Sequence, residues 1–152
     1  MRLLLDCGVD VNGRDKEQAA PLHLASYYGH VEAAEVLLDH DAWANAKDIR
    51  GQTPLHQLLL GSHNSSDPGK VQVVRLAQRL LERGADVNAQ NMDHETPLHL
   101  ASRLRLHEVA RILLKHGADV NMKNSEGKST LQLASGRKGK AMKRLLLKYS
   151  AK

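Results

Sequence analysis

Residues 96–102 read Thr-Pro-Leu-His-Leu-Ala-Ser, and residues 117–121, closing the same stretch, read Gly-Ala-Asp-Val-Asn. The first segment carries the marks of a helix start. A threonine hydroxyl stands where it can accept from free backbone N–H groups. The proline after it takes the first helical position, where a missing N–H costs nothing. Small residues follow and allow a neighbouring helix to come close. Between the two segments Val109, Ile112 and Leu113 recur at the i, i+3, i+4 spacing of a second amphipathic helix. Gly117 then supplies a left-handed C-cap. The stretch reads as two short helices and a turn.

The same stretch returns along the chain. Pro21-Leu22-His23, Pro54-Leu55-His56 and Pro97-Leu98-His99 are spaced 33 and 43 residues apart, and a degraded copy, Thr130-Leu131-Gln132, follows after another 33. Asn12, Asn45, Asn88 and Asn121 keep the same beat. Two independent markers in step identify a repeat array. The extra ten residues of the second repeat fall best at 61–70, Gly-Ser-His-Asn-Ser-Ser-Asp-Pro-Gly-Lys, and are expected to form an excursion between its two helices.

A 33-residue unit running from Thr-Pro-Leu-His to Gly-Ala-Asp-Val-Asn resembles the ankyrin repeat. The resemblance covers essentially the whole chain. It implies an all-α solenoid of stacked helix-turn-helix units joined by short inter-repeat turns. The expected organisation is a single domain, 1–152, with a partial repeat at 1–14 and repeats at 15–47, 48–90, 91–123 and 124–152. Set against the family pattern, Ala20 replaces the capping Thr, at an expected cost of about 1 kcal/mol. Gln18 and Asp41 replace glycines, Trp43-Ala44 replaces Asp-Val, and Arg105-Leu106 replaces the Gly-His seen at Gly29-His30. The partial repeat, with Leu3-Leu4-Leu5, has no first helix to pack on. That predicts a fragment of a longer array, or a chain that is either a monomer or weakly self-associated through its uncapped N-terminal end.

Composition agrees with helices. Hydrophobic residues make up 41%, yet there is no Phe, one Trp and three Tyr, so the core must come from Leu, Val and Ala. No apolar run is long enough for a membrane span. The single cysteine, Cys7, excludes an internal disulfide and any CxxC pair, and a reducing, cytoplasmic setting is expected. The charge is uneven. Residues 123–152 hold nine basic residues and one acidic residue, whereas 1–122 carry a net −3. A rival reading is therefore nucleic-acid or acidic-surface binding through the basic C-terminal repeat, with Gly136-Arg137-Lys138-Gly139-Lys140 as a nuclear import signal. The segment lacks aromatics interleaved for base stacking. A solvated terminal face is the preferred account, and nucleic acid is not the expected partner.

Chemistry was sought among the nine histidines. By the resemblance, His23, His56 and His99 bond backbone groups and tie neighbouring turns. His107-Glu108 begins like a zinc HExxH motif, but Arg111 stands where the second His should be. After His94-Glu95 the fourth place is Leu98, and Pro97 interrupts the helix. Gly127-Lys128-Ser129 resembles the end of a phosphate loop, with Met122 where its first Gly should stand. Asn64-Ser65-Ser66 is a glycosylation sequon, relevant only in a secreted chain. No metal, no cofactor and no enzymatic activity are expected.

The resemblance implies instead a non-catalytic scaffold that binds another protein through the concave face of the array, made of turn tips and first helices. Carried over position by position, the candidate contact residues are Lys16, Glu17, Ala19, Tyr27 and Tyr28 in the first full repeat and Ile49, Arg50, Gln52 and Leu60 in the second. The third contributes Met92, Asp93, Glu95, Arg103 and Leu104, and the fourth Ser125, Glu126, Lys128 and Arg137. Trp43 joins them because Trp, Tyr and Arg most often dominate interface energy. The family also implies a substrate role for Asn121, which ends a Leu-x5-Asp-Val-Asn setting for asparagine hydroxylation.

Overall fold

A computed structural model describes residues 10–62, 67–134 and 139–150. Leu3-Leu4-Leu5, Cys7, the Asn64-Ser65-Ser66 sequon and Arg137 lie outside the described residues, as does most of the 136–140 basic run. Packing divides the chain into two compact units, Met1–Asp86 and Val87–Lys152.

The first unit holds α1 (Pro21–Tyr27), α2 (Val31–Asp39), α3 (Pro54–Gly61) and α4 (Asp67–Glu82). Helix α1 packs on α2 and α3, and α4 packs on α2 and α3. The second unit repeats this with α5 (Pro97–Leu104), α6 (His107–Lys115), a single-turn α7 (Thr130–Leu133) and α8 (Lys140–Ser150). Its only ladder pairing among the described residues is one antiparallel bridge, Lys123 to Ser129. Among the described residues the fold is all-α, as the ankyrin resemblance implies.

Leucine and alanine build both cores. Leu22, Leu37, Leu55, Leu59, Leu76 and Leu80 are fully buried in the first unit, and Leu98, Leu113, Met142 and Leu146 in the second. Ala34, Ala77, Ala101 and Ala110 have no exposed surface at all, which is what lets these short helices approach closely.

Polar side chains close the turns in a fixed pattern. Asp15 Oδ1 accepts from the N–H groups of Glu17 and Ala19 (2.8 and 2.9 Å). Asp48 does the same for Arg50 and Gln52, Asn91 for Asp93 and Glu95, and Asn124 for Glu126 and Lys128. Each is a short polar side chain mimicking a backbone turn. The Asn12 series works across repeats. Asn12 Oδ1 accepts from Trp43 N–H (2.8 Å) while its Nδ2 donates to the Asp41 carbonyl (3.2 Å). Asn45 binds Asp86 N–H and the Gly84 carbonyl in the same way, and Asn88 binds Asp119 N–H and the Gly117 carbonyl.

The histidines also tie turns. Ala20 N–H donates to His23 Nδ1 (3.1 Å), so the ring proton sits on Nε2, which donates to the Gln52 carbonyl of the next repeat (3.1 Å). Thr96 N–H donates to His99 Nδ1 (3.2 Å). The threonine hydroxyls depart from a simple N-cap. Thr53 Oγ1 pairs with His56 Nδ1 (2.9 Å) and Thr96 Oγ1 with His99 Nδ1 (2.8 Å), and only Thr96 also accepts a long bond from a helix N–H, that of His99 at 3.4 Å. In the degraded copy Gln132 substitutes for histidine, its Oε1 accepting from Ser129 N–H (2.8 Å).

The insert differs from expectation. Residues 61–70 do not all leave the stack, because Gly61 ends α3 and residues 67–70 form the first turn of α4. Helix α4 consequently spans 16 residues against 9 in α2 and α6. Gly61 is held by close approach, since a Cβ there would lie 1.7 Å from the Tyr27 carbonyl oxygen. The non-glycine departures are real left-handed residues. Gln18 (φ 59°), Asp41 (62°), His94 (54°) and Arg105 (60°) occupy the places held by Gly51, Gly84 or Gly117, and Gly29 elsewhere in the array.

Candidate protein-binding surface

The turn tips and first helices carry the candidate residues, and the Asp or Asn turn at each tip decides where they point. Lys16, Glu17, Ile49 and Arg50 stand exposed on the tips of the first unit, and Met92, Asp93, Ser125, Glu126 and Lys128 on those of the second. Neighbouring tips are cross-linked by backbone, Ile49 N–H donating to the Glu17 carbonyl and Ser125 N–H to the Asp93 carbonyl (2.9 Å each). Met92 is the most exposed apolar group there, at 70%. Glu126 and Lys128 form an ion pair (2.5 Å). Hydrogen bonding and charge attraction from Lys128 hold the Glu126 carboxyl below the usual range.

The aromatic centre lies in the first unit. Tyr27 and Tyr28 meet edge to face, ring centroids 5.2 Å apart at 89°, and Tyr28 stacks on His30 at 6.0 Å. Tyr28 is 65% exposed and Tyr27 40%. Beside them a cleft of about 180 Å³ opens, lined also by Leu58, Gly61 and Val73. Ala19, Gln52 and Leu60 are half-buried, and the Gln52 amide oxygen is occupied by Gln57 Nε2 (2.9 Å). Trp43 is exposed, at the end of the second-helix turn rather than beside the tyrosines.

Glu95 requires correction. It is not an exposed contact residue: only 6% of its surface is accessible, and both its carboxylate oxygens are bound by Arg103, at 3.0 and 3.1 Å. Two parallel N–H···O bonds fix the guanidinium of Arg103 over the first helix, so these two candidates act as one group. Leu104 is half-buried. Arg137 lies outside the described residues.

Leu58 and Val73 escaped the sequence reading, because they reach the tyrosines only through the packing of α3 and α4 in the first unit, whereas His30 lies two residues beyond Tyr28 in sequence. The Asp15, Asp48, Asn91 and Asn124 series was available in sequence, since it keeps the spacing of the asparagine marker. No group of three or more metal-ligating side chains exists among the described residues, and no described helix is long and apolar enough to cross a membrane. Burial pushes the His99 pKa down, partly offset by the Lys128 carbonyl and by Glu95.

Comparison with known families bears on this geometry directly. A family profile for ankyrin repeats in many copies matches residues 4–56, and a second, for ankyrin repeats in three copies, matches residues 70–152. The chain belongs to the ankyrin-repeat family. Ankyrin repeats are generally protein–protein interaction modules, which agrees with the exposed turn tips that each unit carries. Similar proteins include mouse inversin, 33% identical over 92 residues, 60% of this chain and 8% of inversin. The Drosophila melanogaster neurogenic locus Notch protein is 36% identical over 104 residues, 68% of this chain and 4% of that protein. Neurogenic locus notch homolog protein 1 of Xenopus laevis is 36% identical over 93 residues, 61% and 3% respectively. The ankyrin repeats here therefore span less than a tenth of the curated relatives they match.

Proposed function

We propose that this chain is a non-catalytic ankyrin scaffold that seats a partner protein on its turn tips and first helices, anchored at Tyr27 and Tyr28. The observation that carries the reading is the exposed, edge-to-face tyrosine pair, which lines a cleft with Ser26, Leu58, Ser62 and Val73. Two rigid rings with few rotatable bonds give a large contact area at low entropic cost, and Tyr is enriched among residues that dominate binding energy. The Asp and Asn turns hold the flanking tips in place before any partner arrives, which lowers the cost of ordering on binding.

The test uses partners recovered from the source cell and then measured singly. Replacing Tyr27 and Tyr28 together by Ala weakens binding by about 2 kcal/mol or more and leaves the melting temperature nearly unchanged. Neutralising Lys140, Lys143 and Lys148 alters mainly the association rate and its salt dependence. Silent tyrosines with binding abolished by the lysine changes refute the reading, as does a melting temperature that collapses with the tyrosines.

A further inference from the structure

The two units carry a groove at the same place, between consecutive second helices, but they fill it differently. In the first unit the groove between α2 and α4 is small, about 110 Å³, and closed by opposite charges. Glu35 pairs with Arg75 (3.2 Å) and Arg79 (3.1 Å), and Asp39 pairs with Arg83. The pairing with Glu82 and Glu35 raises the Arg79 pKa above its ordinary value.

In the second unit the corresponding groove lies between α6 and α8 and has a volume of about 430 Å³. Counted along the repeats, Arg111 and Lys115 stand where the first unit has Glu35 and Asp39. Ala141, Leu145 and Tyr149 stand where it has Arg75, Arg79 and Arg83. Both carboxylates have become cations and all three arginines have become uncharged. Arg144 and Lys148, one helical turn apart on α8, complete the opposite wall. The acidic residue nearest in sequence, Glu108, pairs with Arg111 at 3.6 Å from one end of α6. No carboxylate among the described residues is paired with Lys115, Arg144 or Lys148.

We propose that the groove between α6 and α8 docks an acidic peptide segment, whose carboxylates take the place that Glu35 and Asp39 fill in the first unit. The cations stand in two pairs, each one helical turn apart, which suits carboxylates presented at i, i+4 on a helical segment. The floor of Ala141, Leu145 and part-buried Tyr149 suits an apolar side chain between them. A nucleic-acid backbone has no use for that apolar floor, and its phosphates would want cations running on beyond two turns. The site uses second helices, so it goes beyond the tip-and-first-helix surface proposed above and stands or falls separately.

The experiment titrates the full chain into a fluorescent helical peptide that carries Leu flanked by Glu at i, i+4 spacing. Controls are the same peptide with Gln for Glu and a labelled DNA duplex. The Glu peptide should bind and the Gln peptide should bind at least about tenfold more weakly. Two variants test the two parts of the groove: Arg111→Glu with Lys115→Asp rebuilds the acidic wall of the first unit, and Leu145→Gln removes the apolar floor without adding charge. Each should lose about tenfold in affinity with helix content unchanged, whereas Tyr27→Ala with Tyr28→Ala should have no effect on this peptide. If the charge reversal unfolds the unit, Arg111→Gln with Lys115→Gln should show a smaller loss in the same direction. No binding of the Glu peptide, or binding indifferent to these variants, overturns the proposal. DNA bound more tightly than the peptide, with a steep loss in salt, overturns it in favour of nucleic acid.

Discussion

Arg105 and Gly29 do the same job in different units, and exchanging their residue types should move stability in opposite directions. Each ends a first helix in the left-handed region, Arg105 at φ 60° and Gly29 at φ 68°. The surrounding bonds match. Leu106 N–H donates to the Ala101 carbonyl and His30 N–H to that of Ala25 (2.9 Å in both), and His107 N–H donates to Arg105 as Val31 N–H does to Gly29 (3.0 Å in both). A left-handed L-residue costs about 1–2 kcal/mol, whereas glycine gives back about 0.4–1 kcal/mol through its freer unfolded chain. Arg105→Gly should therefore stabilise by about 0.5–1 kcal/mol net. Gly29→Ala should destabilise by a similar amount, because a Cβ there meets nothing within 4 Å and only the backbone term remains. Arg105 is exposed and makes no ion pair among the described residues, so losing its charge adds little. Arg105→Asn should fall between, since Asn tolerates this region better than Arg. Urea unfolding reads the result as a midpoint shift at unchanged slope, equivalent to roughly 2 °C for a chain of this size. A destabilising Arg105→Gly, or a neutral Gly29→Ala, would refute the claim that backbone conformation governs these positions.

His99 links stability to pH. Its folded pKa is lowered, chiefly by burial, so the unfolded chain binds the extra proton. Its stabilising contribution is complete above the unfolded value of about 6.5 and is lost as pH falls below that toward the folded pKa. His99→Gln, which copies the acceptor that Gln132 provides to Ser129, should flatten that acid limb in urea midpoints measured across pH; an unchanged limb would exclude His99 as its source. Gly61→Ala should cost about 3 kcal/mol, because its Cβ would lie 1.7 Å from the Tyr27 carbonyl oxygen, and urea unfolding should show the loss alongside weakened partner binding. A neutral result would restore residue 61 to a free loop.

Much of the molecule was legible because repeats state their own rule several times. The Pro-Leu-His and Asn markers place every first helix, and both turn out to be hydrogen-bonded hardware, His23 reaching Gln52 and Asn45 holding Gly84 and Asp86. Gln18, Asp41 and Arg105 stand out in sequence as departures from glycine, and they adopt glycine's conformation all the same. Neighbouring turns over-determine the backbone there, and the residue type changes only the cost. The insert was harder. A Ser-, Asn- and Gly-rich run reads as loop, yet its ends continue α3 and α4, because propensity is a weak prior beside packing on the next helix.

Periodicity therefore determined the fold class, the number of helical hairpins and the identity of the tip residues, since these depend on local spacing repeated in register. Whether a tip residue is free to meet a partner depends on what neighbouring elements leave uncovered, and no spacing rule contains that. Glu95 occupies a contact position by count, and burial and a two-pronged bond from Arg103 remove it from the surface. Arg111 and Leu145 are ordinary helix residues by count, and they become the wall and floor of one groove only when α8 packs against α6. Helix period can be read along one chain segment, but burial and charge pairing are properties of two segments brought together.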